Sequence, residues 1–388
     1  MKKQNSQPGP SPWADARPQE SQPGPQTFPC AQCGASLTFS PGITSLKCDH
    51  CGHTQEVPLV RKEIPTLDYH AWLEKGHADK HMEDIMVVQC SACGASLEPE
   101  RETVALPCPF CGNPMDLHET SHRRIKPSSL LPFKVDKKIA RESFKQWVSS
   151  RWFAPNRLKM AARSETPLSG LYVPYWTYDS QTGSDYQGQR GIHYQERETY
   201  TTTEDGRSVE KTRTVTRTRW SHVSGHVEHW FHDVLVMASN KLPQQIADRL
   251  EPWDLGNLVG YDSSYVSGFR AQSYHVGLEE GFAIAKGKMA PVIDDLVRRD
   301  IGGDEQRVDA ISTHYSATTF KHILLPIWLS TYRFGNKTYP FLINGRTGEV
   351  QGERPYSWIK ITLAILSVAA VLGGVWWKYG DQILAAVK

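Results

Sequence analysis

No cysteine in this 388-residue chain stands outside a C-x-x-C pair, so no lone thiol is on offer as a nucleophile. Charge of one sign is also lacking. The 44 Lys and Arg against 42 Asp and Glu leave a formal net charge of +2, and no global field draws the chain toward nucleic acid. The phosphate-binding loop G-x-x-x-x-G-K-[ST] does not occur; Gly335-Asn336-Lys337-Thr338 lacks the first glycine and the loop. A G-x-S-x-G elbow and an H-E-x-x-H helix are absent as well. The expectation is a non-enzyme with no small-molecule substrate. Residues 1–29 carry Lys2 and Lys3, but no apolar run follows, so no export signal is expected. Seven prolines among Gln, Ser and Gly within 1–29 predict a disordered tail, placed over 1–27.

What is there begins with the cysteines. The pairs are Cys30/Cys33, Cys48/Cys51, Cys90/Cys93 and Cys108/Cys111, and fourteen residues separate Cys33 from Cys48 and Cys93 from Cys108. Cys33-Gly-Ala-Ser-Leu37 recurs as Cys93-Gly-Ala-Ser-Leu97, an internal duplication with a period of sixty residues. Two residues between thiolates let a tight turn aim both sulfurs at one ion. The glycine after each second cysteine supplies the positive φ such a turn needs. Two turns complete a tetrahedral S₄ site, which suits zinc and leaves no open position for water or substrate. The expectation is therefore two structural zinc ions, four cysteines each. Disulfides would need an oxidising compartment that the sequence gives no signal for reaching. A rubredoxin-like iron site shares the knuckle, but its usual gap is longer than this one. Both predicted ribbons, 28–60 and 88–120, are net acidic, which disfavours a duplex-binding surface.

Near the C-terminus, Ile361 to Trp377 holds no charge and is bracketed by Lys360 and Lys378. At about 1.5 Å per residue it would span roughly 26 Å, the short end for a bilayer core. Tyr356, Trp358, Trp376, Trp377 and Tyr379 flank it like an interfacial belt. A transmembrane helix is expected over 357–379 with a short tail at 380–388. Arg346, Arg354 and Lys360 on its N-terminal side, together with the thiol-rich ribbons, put the bulk of the chain on the cytoplasmic side.

Between lies an expected α+β domain over 121–356 with antiparallel strands, after a helical linker at 61–87. Asp136 is placed to cap a helix running to about Trp152, with Ile139, Phe144, Trp147 and Val148 on one side. A second helix is predicted from Leu278 to Arg299, interrupted near Pro291. Strands are predicted over Leu171–Tyr178, Val227–Met237, Leu324–Phe334 and Tyr339–Ile343. The hairpin signal at Asp205-Gly206 sets Glu204 opposite Arg207 and Glu198 opposite Arg213. Lys211, Arg213, Arg217 and Arg219 then share one strand face. That stripe is the candidate nucleic-acid contact, but neighbouring acids make a solvated hairpin with cross-strand ion pairs the stronger reading. His222, His226, His229 and His232 are read as surface histidines, since on a strand His222 and His226 would lie about 13 Å apart. The acids around Ile301-Gly302-Gly303 are read as a glycine-capped helix end.

The paired ribbons, Trp152-Phe-Ala-Pro-Asn156, Leu171-Tyr-Val-Pro-Tyr-Trp176, Leu250-Glu-Pro-Trp-Asp-Leu255, Asp300-Ile-Gly-Gly-Asp304 and Asn344-Gly-Arg-Thr-Gly348 carry a resemblance. The chain resembles a bacterial family of TFIIB-type zinc-ribbon membrane proteins, often labelled primosomal protein N′ or PriA-like superfamily II helicase. The resemblance covers about Phe28 to Tyr356 and implies the same eight cysteine ligands. It also implies a link, through some relatives, to envelope-stress proteins of the phage-shock type. Together these readings predict a membrane-anchored adaptor at the bacterial inner membrane, with protein partners and the lipid bilayer as its contacts. The alternative is a membrane-tethered nucleic-acid-binding protein without helicase activity.

Overall fold

The computed structural model describes residues 28–57, 64–75, 81–98, 107–113, 115, 119–153, 155, 168–204, 207–334, 337–353 and 357–387. The expected tail at 1–27 and the turn residues 205–206 and 335–336 lie outside them.

The first C-x-x-C turns open a three-stranded antiparallel sheet of β1 (Leu37–Ser40), β2 (Ser45–Cys48) and β3 (Thr54–Glu56). A two-residue strand β4 (Leu67–Asp68) and helix α1 (Tyr69–Lys75) follow. Asp68 starts that helix by accepting the Ala71 N–H at 2.7 Å. Among its described residues, the expected linker at 61–87 forms an α-helix at α1. Met82–Gln89 is instead strand β5, the middle strand of the second ribbon's sheet, between β6 (Ser96–Leu97) and β7 (Glu119–Ile125). Pairing with β7 explains the correction, because β5 runs in unbroken antiparallel register from Met82↔Ile125 to Val88↔Glu119. The second ribbon therefore reaches beyond 88–120 at both ends.

After β8 (Ser129–Leu130), helix α2 (Lys137–Ser149) starts at Asp136, whose carboxylate accepts the Ile139 N–H at 2.7 Å. Its buried side is Ala140, Phe144 and Val148, spaced four apart. Ile139, expected on that side, is 52% exposed. Two very long strands come next, β9 (Ser169–Glu204) and β10 (Arg207–Met237), then α3 (Gln244–Asp248), β11 (Val259–Gly260) and β12 (Arg270–Ala271).

Helix α4 (Leu278–Ile301) runs unbroken through Pro291. Its buried stripe of Phe282, Ala285, Met289, Ile293, Val297 and Ile301 continues on both sides of the exposed proline, so packing holds the axis where propensity alone predicts an interruption. Gly302 closes it at φ 64°, its N–H donating to Arg298 O at 3.1 Å, as a glycine-capped end should. Strands β13 (Glu305–Phe334), β14 (Lys337–Asn344) and β15 (Val350–Gly352) complete the main sheet, in the order β10-β9-β13-β14-β15. The chain ends in α5 (Trp358–Val387), which continues through most of the expected tail.

Leu171 to Tyr178 is buried at every position, the mark of a strand covered on both faces. Because successive side chains point to opposite faces, two different layers cover it. Tyr172, Leu324, Trp328, Phe341 and Ile343 pack with α2 and with Leu37, Phe39 and Leu46 of the first ribbon. Leu171, Val173, Tyr175, Ile323, Leu325 and Ile327 pack with α3 and with Val88, Ala95 and Leu97 of the second. The duplicated ribbons thus sit on opposite faces of one sheet. Farther along the first of these faces, α4 and α1 cover Trp176, Tyr178 and Phe320.

β13 pairs with β9 only as far as Glu305↔Gly191. Beyond it, β9 and β10 continue alone from Ile192↔Arg219 to Glu204↔Arg207, a two-stranded arm reaching about 40 Å at about 3.3 Å per residue.

Candidate metal centres

Each knuckle is built the same way. In the first, Cys30 N–H donates to Ala35 O at 2.7 Å and Gly34 N–H to Cys30 O at 2.9 Å, with Gly34 at φ 77°. The pattern repeats at Cys48/Gly52, Cys90/Gly94 and Cys108/Gly112, all four glycines lying between φ 69° and 77°. A side chain at any of them would strain a backbone that only glycine adopts freely.

The turns bring Cys30, Cys33, Cys48 and Cys51 into one group and Cys90, Cys93, Cys108 and Cys111 into another, every sulfur within 4.8 Å of the rest of its group. Sγ–Sγ separations are 3.6 Å for Cys30–Cys51, 3.5 Å for Cys33–Cys48, 3.7 Å for Cys90–Cys111 and 3.6 Å for Cys93–Cys108. A disulfide would need about 2.05 Å. Four ligands held about 2.3 Å from a tetrahedral ion stand about 3.8 Å apart, close to what is seen. All eight cysteines assigned from the sequence are therefore brought together in two sets of four, and each set can hold a metal ion.

Electrostatics support that chemistry. The backbone N–H of Cys51 holds the Cys48 thiol down to about 6, against the opposing effect of burial. Cys51 itself is pushed up to about 12: the His53 N–H favours its thiolate, but burial and the three neighbouring sulfurs outweigh it. Four thiols so close cannot all ionise unless a cation shares the site. One cysteine of each pair is buried and tied into the core, Cys30 and Cys48 in one ribbon, Cys90 and Cys108 in the other. Each ion would thus knit a ribbon to the face it covers.

The basic stripe has a different fate. Arg213 donates to Glu198 at 3.0 Å, and Arg217 is bound by both Glu196 and Glu198. The Arg213 and Arg219 guanidiniums also lie 5.4 Å over the Tyr200 and Tyr194 rings. The register is the expected one, Arg213↔Glu198 and Arg207↔Glu204. The four basic residues share a face as foreseen, and that face carries the cross-strand ion pairs. The histidines do not converge: among the described residues the two cysteine sets are the groups able to hold a metal, and His226 instead pairs with Asp185 at 2.8 Å. Of the acids near Gly302, Asp300 accepts from Tyr186 and Asp304 accepts the His193 N–H at 2.7 Å, pinning α4 to the root of the arm.

Sequence reasoning missed the polar groups of the interior, a histidine among them. His322, fully enclosed, bonds through Nδ1 to Ile125 O at 2.8 Å, and burial lowers its pKa to about 4. It borders a cavity of about 310 Å³ with Lys126, Tyr261 and Lys321. Nearby, burial and the Glu83 charge push Glu98 up to about 7.

Among the described residues, one helix, Trp358–Lys378, is long and apolar enough to cross a membrane, with a mean hydropathy of 2.0 and none of that span buried.

No family model matches the chain, and no solved structure matches it. The chain is similar to a protein of Bacillus subtilis (strain 168) described as uncharacterized protein YdjG, at 26% identity over 361 residues covering 90% of this chain and 98% of that one.

Proposed function

We propose that this chain is a non-enzymatic adaptor anchored in the bacterial inner membrane by α5, with the bulk of the chain in the cytoplasm and the ribbons holding two structural zinc ions. The observation that carries this reading is the apolar span Trp358–Lys378, which none of the described residues buries. Such a helix has no stable place in water, and an apolar surface on every side suits lipid. Closed four-sulfur sites favour structure over catalysis. The arm supports a recruiting role: it extends well past the sheet, and its partly exposed Ile192, Tyr194 and Tyr200 suit a protein partner. Nucleic acid is disfavoured because Arg213 and Arg217 already neutralise Glu196 and Glu198.

Two measurements test this. In flotation, the full chain should rise with membranes and resist alkaline extraction, while Leu366→Lys combined with Val371→Lys should release it; an unchanged distribution overturns the anchor. Fluorescence anisotropy of the zinc-loaded full chain in detergent against single-stranded, duplex and forked DNA should show no salt-sensitive binding. Submicromolar binding that weakens steeply with salt would replace the adaptor with the nucleic-acid reading.

A further inference from the structure

The turn that follows α2 brings two large apolar side chains to the surface. Trp152 is 76% exposed and Phe153 is 37% exposed, although the same helix buries Phe144 and Val148. No contact within the fold accounts for their exposure. Their position does. The Ser357 N–H donates to Phe153 O at 2.9 Å, and Lys360 Nζ donates to Trp152 O at 3.2 Å. The turn is therefore bonded to the first residues of α5, where Trp358 is 81% exposed. Residues distant in sequence thus present Trp152, Phe153 and Trp358 around the point where the apolar span begins. Lys360, bonded to Trp152 O, supplies a cationic group at the same point.

This is the chemistry of a membrane interface. Tryptophan combines a large apolar body with one N–H donor and favours the headgroup level, and nearby cations favour anionic lipid. We propose that the Trp152–Phe153 turn is a second membrane contact, seated in the headgroup region of the leaflet that α5 enters. It would fix how the sheet and arm stand relative to the bilayer. The proposal rests on α5 being the anchor, and the bilayer is its one occupant.

The test uses the full chain reconstituted in phosphatidylethanolamine/phosphatidylglycerol vesicles, with lipids brominated near the headgroup end of the acyl chains as tryptophan quenchers. Trp358, Trp376 and Trp377 report α5, so the Trp152→Phe variant measures the anchor by itself. In Trp152→Phe the quenched amplitude should fall by about a quarter, as one of four interfacial tryptophans is lost. Because Trp152 is exposed, zinc content and circular dichroism should not change. Equal quenching in wild type and Trp152→Phe overturns the second contact while leaving the anchor intact. Absence of quenching in both overturns the anchor and the contact with it.

Discussion

Leu171 and Tyr172 are neighbours in the chain, yet each is fully buried beneath a different ribbon. One backbone step takes the packing from the second metal centre to the first. Above Tyr172, Phe39 of the first ribbon stands 5.3 Å from the Tyr265 ring and 6.4 Å from the Phe269 ring, and Phe269 stacks on Phe133 at 4.2 Å. A ribbon that lent only itself to the metal could unfold alone. These share their cores with the sheet.

Metal loss should therefore spread. Cys48→Ser is expected to remove one of two metal-binding equivalents per chain and leave the other, by elemental analysis. It should also lower the stability of the central sheet, on the order of 5 kcal/mol, the scale of losing a structural metal. Thermal unfolding followed by tryptophan fluorescence checks it. A low-temperature transition confined to the ribbon, with the main one unmoved, would contradict the shared cores.

Two glycines in α4 should respond in opposite directions. A Cβ on Gly281 would lie 2.5 Å from Tyr178 Oη and 2.8 Å from Trp176 Cδ1. Tyr178 cannot easily yield, because its hydroxyl donates to Leu278 O at 2.7 Å and Trp176 Nε1 donates to Val276 O at 2.9 Å. Gly281→Ala should cost about 1–3 kcal/mol by overpacking. Gly287 has nothing within 4 Å of the same position, so Gly287→Ala should stabilise by up to about 1 kcal/mol through helix propensity. Chemical denaturation of both variants decides it; destabilisation by Gly287→Ala would break the argument.

The metal ligands and the arm's register were legible because their signals are local. Two residues between cysteines define a turn, and Asp205-Gly206 set which residue faces which. The sheet's extent was hidden by the opposite circumstance. Leu171 to Tyr178 lacks alternation because ribbons, α2, α3 and α4 cover both of its faces, and nothing local reveals a cover made of distant chain. The expected linker hides the strand at 82–87 for the same reason: its partner, Glu119–Ile125, is more than thirty residues away in the chain. Trp152 shows nothing in the sequence beyond its motif, since its closeness to Lys360 exists only after folding.

The arm's ion pairs are expected to contribute little to stability. Glu198→Ala removes partners of both Arg213 and Arg217, but these groups are solvent-accessible, so the unfolding midpoint should barely move. The larger effect should be electrostatic. Replacing Glu196 and Glu198 together frees a cationic face, and DNA binding stronger than that of the wild type should appear at low salt and vanish as salt rises. Unchanged anisotropy in the double variant would mean that the stripe cannot present those charges to phosphate.

His322 and Glu98 should tilt the pH dependence of stability in opposite senses. Burial lowers His322 from 6.5 to about 4 in the folded chain. As pH falls below 6.5 the unfolded chain takes up a proton that the folded chain refuses, so stability declines toward pH 4, by on the order of 3 kcal/mol in full. Burial, with the charge of Glu83, raises Glu98 from 4.5 to about 7. As pH rises from 4.5 the unfolded chain ionises first, so stability declines until about pH 7 and is then level. Between pH 4.5 and 6.5 the two slopes oppose each other and partly cancel. Each variant should therefore expose what the wild type conceals. His322→Gln should make stability fall more steeply with rising pH in that window, and Glu98→Gln should make it rise. Urea midpoints at half-unit intervals from pH 4.5 to 7.5 resolve the two. Parallel profiles for both variants and the wild type would show that neither group titrates differently on folding.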